Sequence, residues 1–301
     1  MKKLIYTNIF WVSFMVIFLI HPLNCAAQTD NVTVPDNDPG QPDLSPHSLY
    51  AGLGYGNNMI YLGSTISQNQ PYAYTTLTYG YRDMLYISLA PVHLAERNPF
   101  IAFNMTSVSF SHVFNSWFDI SAASSYYHVA PSLRDTLFGN FLYTDVTFGF
   151  DWKILYSKLS AGGMFSEDNN VFFQIRNSRY FQTPGFTSKD LFFAFDPYVN
   201  LICGSLTTME TDTGSPVQIS PPFWKNGRNS QHSTNTEYSS SFRCLEIDFG
   251  IPVSFNSSSF TIEAEPGYVL PLYEENEQNG TRGFILTLSL CLLTTVPGGG
   301  T

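Results

Sequence analysis

The charged side chains with the most regular placement are the carboxylates Asp145, Asp151, Asp196, Glu246, Asp248, Glu263 and Glu265, each set in or beside a run that alternates polar with apolar residues. In "RCLEIDFGIPVSF", Leu245, Ile247, Phe249, Ile251 and Val253 oppose Glu246, Asp248, Gly250 and Pro252, so carboxylates face one way and hydrocarbon the other. "FTIEAEPGY" sets Phe260, Ile262 and Ala264 against Glu263 and Glu265, and "LYTDVTFGFDW" sets Leu142, Val146, Phe148 and Phe150 against Asp145 and Asp151. Lys158 and Arg176 fall on the carboxylate parity in the runs that follow. Charges of both signs on one inner face have two uses: they pair and fill the interior, or they line a narrow polar path.

Other chemistries are less well supported. The histidines His93, His112, His128 and His232 stand in a serine-rich chain, and Ser111-His112 and His232-Ser233 are neighbours in sequence. Nucleophilic catalysis needs a nucleophile and a base brought together in space with a third group orienting them, which adjacency alone does not supply. No His or Cys pair has metal-ligand spacing, and "EENE" (Glu274 to Glu277) reads as a solvated loop rather than a calcium site, so no metal or cofactor is expected. The longest polar link, 205 to 239, carries Phe223 and Trp224. They read equally well as a binding surface and as a constriction folded back over the interior.

The elements that hold these residues are strands. Only 13% of the 301 residues are charged and 16% are aromatic, with a formal net charge of -10. With 14 Lys and Arg and no run of them, nucleic acid is excluded as a partner. Lys2 and Lys3 precede the apolar run Ile9 to Ile20 and small residues follow, the form of an export signal covering 1–27 with cleavage after Ala27. That run is shorter than the roughly 20 residues a membrane helix needs. Asn24 and Pro22 fit a lipoprotein site at Cys25 poorly. Residues 28–46, rich in Pro and Asp, read as a flexible periplasmic leader, 47–295 as one folded unit and 296–301 as a tail.

After the signal no apolar run is long enough for a membrane helix, so "RGFILTLSLCLLTTV" (282 to 296) reads as a strand whose Phe284, Leu286, Leu288, Leu290 and Leu292 share one face. Short links at Arg82-Asp83, Asn115, Trp152-Lys153 and Phe255 to Ser259 alternate with longer ones near 67 to 71, 95 to 98, 130 to 136, 166 to 169, 205 to 239 and 273 to 280. Alternation of tight and long links is the pattern of a transmembrane β-barrel. With "SLYAGLGYGNNMIYLG" as one long first strand, the prediction is an all-β, closed antiparallel transmembrane barrel of twelve strands, with fourteen as the alternative. "FIAFNMTSVSFSH" loses its alternation after Met105, which suggests a bulge there.

In these features the chain resembles the outer-membrane β-barrel proteins of Gram-negative bacteria. The resemblance is one of pattern over nearly all of the mature chain. It implies insertion in the cell outer membrane by the barrel-assembly machinery, contact with outer-membrane lipid, and aromatic belts, for which Tyr72, Tyr74, Tyr79 and Tyr81, or Trp117 with Phe118, are candidates. It departs from the family in ending "VPGGGT" rather than on an aromatic residue. Among such barrels a twelve-stranded phospholipase family hydrolyses lipid with a Ser-His pair, but neither Ser-His segment here matches its motif.

The function expected is therefore non-enzymatic: a structural protein, or a narrow channel for small solutes. The alternatives are an outer-membrane lipid hydrolase and a secreted, soluble β-sandwich binding protein. Cys203, Cys244 and Cys291 allow at most one bridge in the mature chain. Cys203 and Cys244 flank the longest link, but parity sets Cys203 with Phe193 and Phe195 and Cys244 with Glu246 and Asp248, which argues against joining them unless a bulge, for instance at Pro197, intervenes.

Overall fold

The structure, a computed structural model, describes residues 46–295 except 135, 167–168, 187–190, 212–216, 220–235 and 274–281. The export signal, most of the leader, the tail, Phe223, Trp224, His232 and Glu274 to Glu277 lie outside the described residues.

Twelve long strands follow one another: β1 His47–Gly56, β2 Tyr72–Tyr81, β3 Leu85–Leu94, β4 Phe103–Asn115, β5 Phe118–Val129, β6 Phe141–Asp151, β7 Tyr156–Phe165, β8 Asn170–Ser178, β9 Tyr198–Thr211, β10 Thr236–Gly250, β11 Phe260–Pro271 and β12 Gly283–Thr295. Each pairs antiparallel with the next, and β12 returns to β1 from Ser48↔Thr295 to Gly56↔Thr287. The ring is closed, so the sheet has no free edge and its backbone groups are satisfied without water. Short strands Phe192–Phe195 and Val253–Asn256 pair with each other in the register of β9 and β10, with Asp196 N donating to Pro252 O at 3.1 Å. Pro197 and Pro252 thus interrupt those two strands without ending them.

The exposed side chains are the apolar ones. Leu53, Leu77, Ile87, Leu89, Val108, Leu159, Ile175, Ile262, Leu288 and Leu292 point outward, while Thr76, Thr78, Ser88, Ser107, Ser125, Thr147 and Ser160 are buried within the ring. A soluble sandwich would need the opposite arrangement. The arrangement is that of a membrane-spanning β-barrel. Among the described residues no helix is long and apolar enough to cross a membrane.

The strands end at Tyr81, Asn115, Asp151, Gln182 and Asn256 on the rim that carries His47 and Thr295, and at Gly56, Leu94, Val129, Phe165, Thr211 and Pro271 on the opposite, loop rim. Arg82 and Asp83 take φ of 53° and 51°, the primed-turn geometry that matches the twist of the flanking strands. The rule of tight turns at one rim and long loops at the other has two exceptions: 183–191 is long for its rim and 166–169 short for its own.

Three sequence expectations are corrected. First, the opening strand ends at Gly56, and Asn57-Asn58 leads into a separate hairpin, Ile60–Tyr61 with Ser64–Thr65. The barrel count is unaffected. Second, β4 keeps its phase past Met105, since Phe103, Met105, Ser107 and Ser109 are all buried. What changes at Ser107 is the chemistry of the inner face, from apolar to hydroxyl, and the register shifts only at Val113/Asn115. Third, Tyr72 and Tyr74 share the inward parity of Thr76 and Thr78 and cannot belong to a belt; they lie over Gly56 and Gly54 of β1, where an added Cβ would sit 2.3 and 2.2 Å from their rings. Tyr79 and Trp117 do face outward near the terminal rim, with Phe150 beside Trp117 and Trp152 stacked on Phe150.

Parity also misled at the cysteines. Ile202 pairs with Glu246 and Cys203 with Cys244, so Leu245 is an extra residue in β10. The bulge resets the phase: Leu245 and Glu246 are both buried, Cys244 is exposed, and it faces outward beside Cys203. The two form a disulfide.

Candidate functional site

The barrel interior is divided into two zones. Towards the loop rim it is apolar, and it is filled by the chain between β1 and β2. Every residue from Met59 to Ser67 is buried. Tyr61, 0% exposed, stacks on Phe141 with centroids 5.9 Å apart and meets Tyr127 and Tyr143 at 5.8 and 5.9 Å. Leu133, Leu137 and Phe138 from the 130–140 loop join the same cluster.

The hairpin folds as it does because Leu62 and Gly63, with φ of 47° and 83°, form its turn, and Asn58 anchors its base. Asn58 Oδ1 accepts from Thr65 Oγ1 at 2.6 Å and Ser67 Oγ at 2.8 Å, and Asn58 Nδ2 donates to Asn69 Oδ1 at 2.7 Å. Neighbouring loops hold it from above: Gln68 Nε2 donates to Thr136 O at 2.8 Å, Arg97 donates to Gln68, and Tyr273 donates to the carbonyl of Gly63. This plug was not anticipated. In sequence, Met59 to Gly63 has the apolar look of strand, and only the paired asparagines before it signal a change of direction.

Towards the terminal rim the interior is polar, and the ring order puts unlike walls on opposite sides. Strands β2 to β5 present hydroxyls, among them Thr76, Thr78, Ser88, Ser107, Ser109, Ser121 and Ser125. Strands β7 to β11 present charge. Lys158 and Arg176 are direct cross-strand partners, both buried. The Arg176 guanidinium lies over the Tyr198 ring at 3.7 Å, and Tyr198 donates to Glu265 Oε1 at 2.7 Å. Asp196, Glu246 and Glu265 are buried on the same wall, and Asp248 and Glu263 half-buried. Glu263 has Asp196 and Arg176 as electrostatic neighbours, and Glu265 has Arg176, Glu263 and Asp248.

The remaining expected residues lie apart from this group. Asp145, on β6, accepts from Thr147 Oγ1 at 3.3 Å, and Thr147 also meets Ser160 at 2.7 Å. Asp151 sits at the rim, where its Oδ1 accepts the Lys153 N–H at 2.6 Å and so serves the turn. Glu246 lies higher, at the bulge beside Ile202. Asp119, which sequence reasoning passed over, accepts from Tyr156 at 2.7 Å and has Lys158 as a neighbour. Its signal was available: it shares the parity of Ser121, Ala123 and Ser125.

Of the two Ser-His neighbours, Ser111-His112 lies among the described residues. Ser111 and His112 are consecutive in β4, so their side chains leave opposite faces of the sheet. His93 Nδ1 is 2.6 Å from Phe100 O, with the ring stacked on Phe100 at 4.4 Å. Among the described residues no three His, Cys, Asp or Glu are placed to hold a metal ion.

No family model matches the chain, and no curated protein matches its sequence. Solved structures similar to it include the NanC porin, at 8% identity and a TM-score of 0.44 over 81% of this chain and 98% of that one. The COG4313 outer membrane channel from Pseudomonas putida F1 is similar at 12% identity and 0.45, over 87% and 100%. LpxR from Salmonella typhimurium is similar at 8% and 0.45, over 81% and 99%.

Proposed function

We propose that this protein is a non-enzymatic, narrow small-solute channel of the Gram-negative outer membrane, held shut near its loop rim by the hairpin Met59 to Ser67. The observation that carries this reading is a wholly buried loop seated above a polar interior. The closed ring of backbone hydrogen bonds already holds the wall together, so an internal hairpin is not required for closure. A polar terminal half is costly to bury in a protein with no solute to pass, because each unpaired polar group there forfeits its hydration. On this reading the charges described above line the path, and the plug sets when it is open. The protein's lasting partners would be outer-membrane lipid and, during insertion, the barrel-assembly machinery.

Planar-bilayer recording tests the proposal. Replacing Met59 to Ser67 by a Gly-Ser linker should give larger and longer openings than the native chain. Folded protein that passes no ion current in either form overturns the channel reading and leaves a structural barrel.

A further inference from the structure

We propose that the charged wall of β9 to β11 binds small cations and makes the lumen cation-selective. The proposal deepens the channel reading by naming its solute class, and it rests on four carboxylates. Asp196, Asp248, Glu263 and Glu265 come from adjacent strand segments; Glu263 has Asp196 as an electrostatic neighbour, and Glu265 has Glu263 and Asp248. Glu265 is only 2% exposed; one of its oxygens takes the Tyr198 hydroxyl and the other, Oε2, has no hydrogen-bond partner. Asp196 Oδ1 and Asp248 Oδ1 are likewise buried and unpartnered.

Among the described residues, the cations that neighbour this set do not balance it. Arg176 is the electrostatic neighbour of all four carboxylates, and Lys158 of Asp196. Arg176 is held flat on the Tyr198 ring at 3.7 Å, and Lys158 lies 5.4 Å from the Tyr156 ring and is shared with Asp119. Four ionised carboxylates with two shared cations leave net negative charge, and like charges held away from bulk water repel more strongly than they do in it. Mobile cations relieve that repulsion, whereas an anion would add to it. Rings of acidic side chains favour cations for the same reason. The opposite hydroxyl wall supplies neutral oxygens that can replace part of an ion's hydration shell.

Two measurements on the whole folded protein in detergent and in bilayers decide the matter. The temperature at which folded protein loses its compact gel mobility should rise in potassium chloride above its value in tetrabutylammonium chloride at equal ionic strength, since only the small ion enters. The rise should vanish in E263Q/E265Q. If that pair does not fold, D196N and D248N should each shrink it. In a potassium chloride gradient the reversal potential should favour potassium, and less so in the variants. Equal stabilisation by both salts, persistence of the difference in the double variant, or a current without cation preference overturns the inference while the channel reading stands. A potassium-specific shift in a protein that never conducts does the reverse: it upholds the cation site and removes the channel.

Discussion

Tyr74 lying across Gly54 is the smallest unit of this architecture, and it recurs. Tyr72 covers Gly56, Phe172 covers Gly204 and Tyr198 covers Gly250, in each case with the glycine and the ring directly paired across neighbouring strands. The glycine lets an inward ring lie flat against the wall, so a bulky side chain fills the interior without crossing it. At Gly250 the same packing places the Tyr198 hydroxyl on Glu265. Spacing alone could not reveal this, because a glycine in a strand also reads as a bulge or a bend. Gly54→Ala puts a carbon about 2.2 Å from the Tyr74 ring and should destabilise the barrel by about 1–3 kcal/mol, the usual cost of overpacking. Gly185→Ala, whose nearest neighbour would be Leu191 O at 3.9 Å, should be nearly neutral. Urea unfolding in lipid vesicles reads both, and equal effects would mean that the rings do not depend on the glycines.

Individual strands were legible in the sequence wherever the two faces differ in chemistry, as in β6, β11 and β12. They were misread where the inner face changes composition along its length or a residue is inserted. In β4 the passage from Met105 to Ser107 imitates a slip of phase, although the phase is kept. In β10 the phase does slip, at Leu245, and the surrounding pattern hides it because Leu245 is itself apolar and buried. The placement of Cys244 follows from that one residue. Deleting Leu245 should leave the bridge intact, since Ile202↔Glu246 and Cys203↔Cys244 would become consecutive pairs in a regular strand. It should also cost about 2–5 kcal/mol for the lost buried leucine. Thiol labelling before and after reduction checks this; labelling of both cysteines in unreduced, folded variant would show that the bulge has been assigned wrongly.

For the molecule as a whole, the inversion of inside and outside explains a composition that is poor in charge and rich in aromatic residues. It also explains why the number of strands could be counted from turn spacing, whereas the plug could not be seen: a loop that returns to the interior carries the same apolar residues as a wall. The sequence pattern put the charges on one face but gave them no place around the ring, because strand tilt and register, which decide what stands opposite what, are not written in any one segment. Two adjacent residues of β12 test the inversion. Leu288 is exposed on the outer surface, while Ser289 points inward and pairs with Glu263 of β11. Leu288→Arg near the bilayer midplane should cost roughly 2–4 kcal/mol. Ser289→Arg places the same charge beside a carboxylate and should cost far less. The comparison, made by unfolding in vesicles with heat-dependent gel mobility as the check on folding, cancels the size and flexibility of the new side chain. Equal losses at the two positions would mean that β12 does not separate lipid from lumen, and the barrel would have to be abandoned for a soluble sheet with both faces wet.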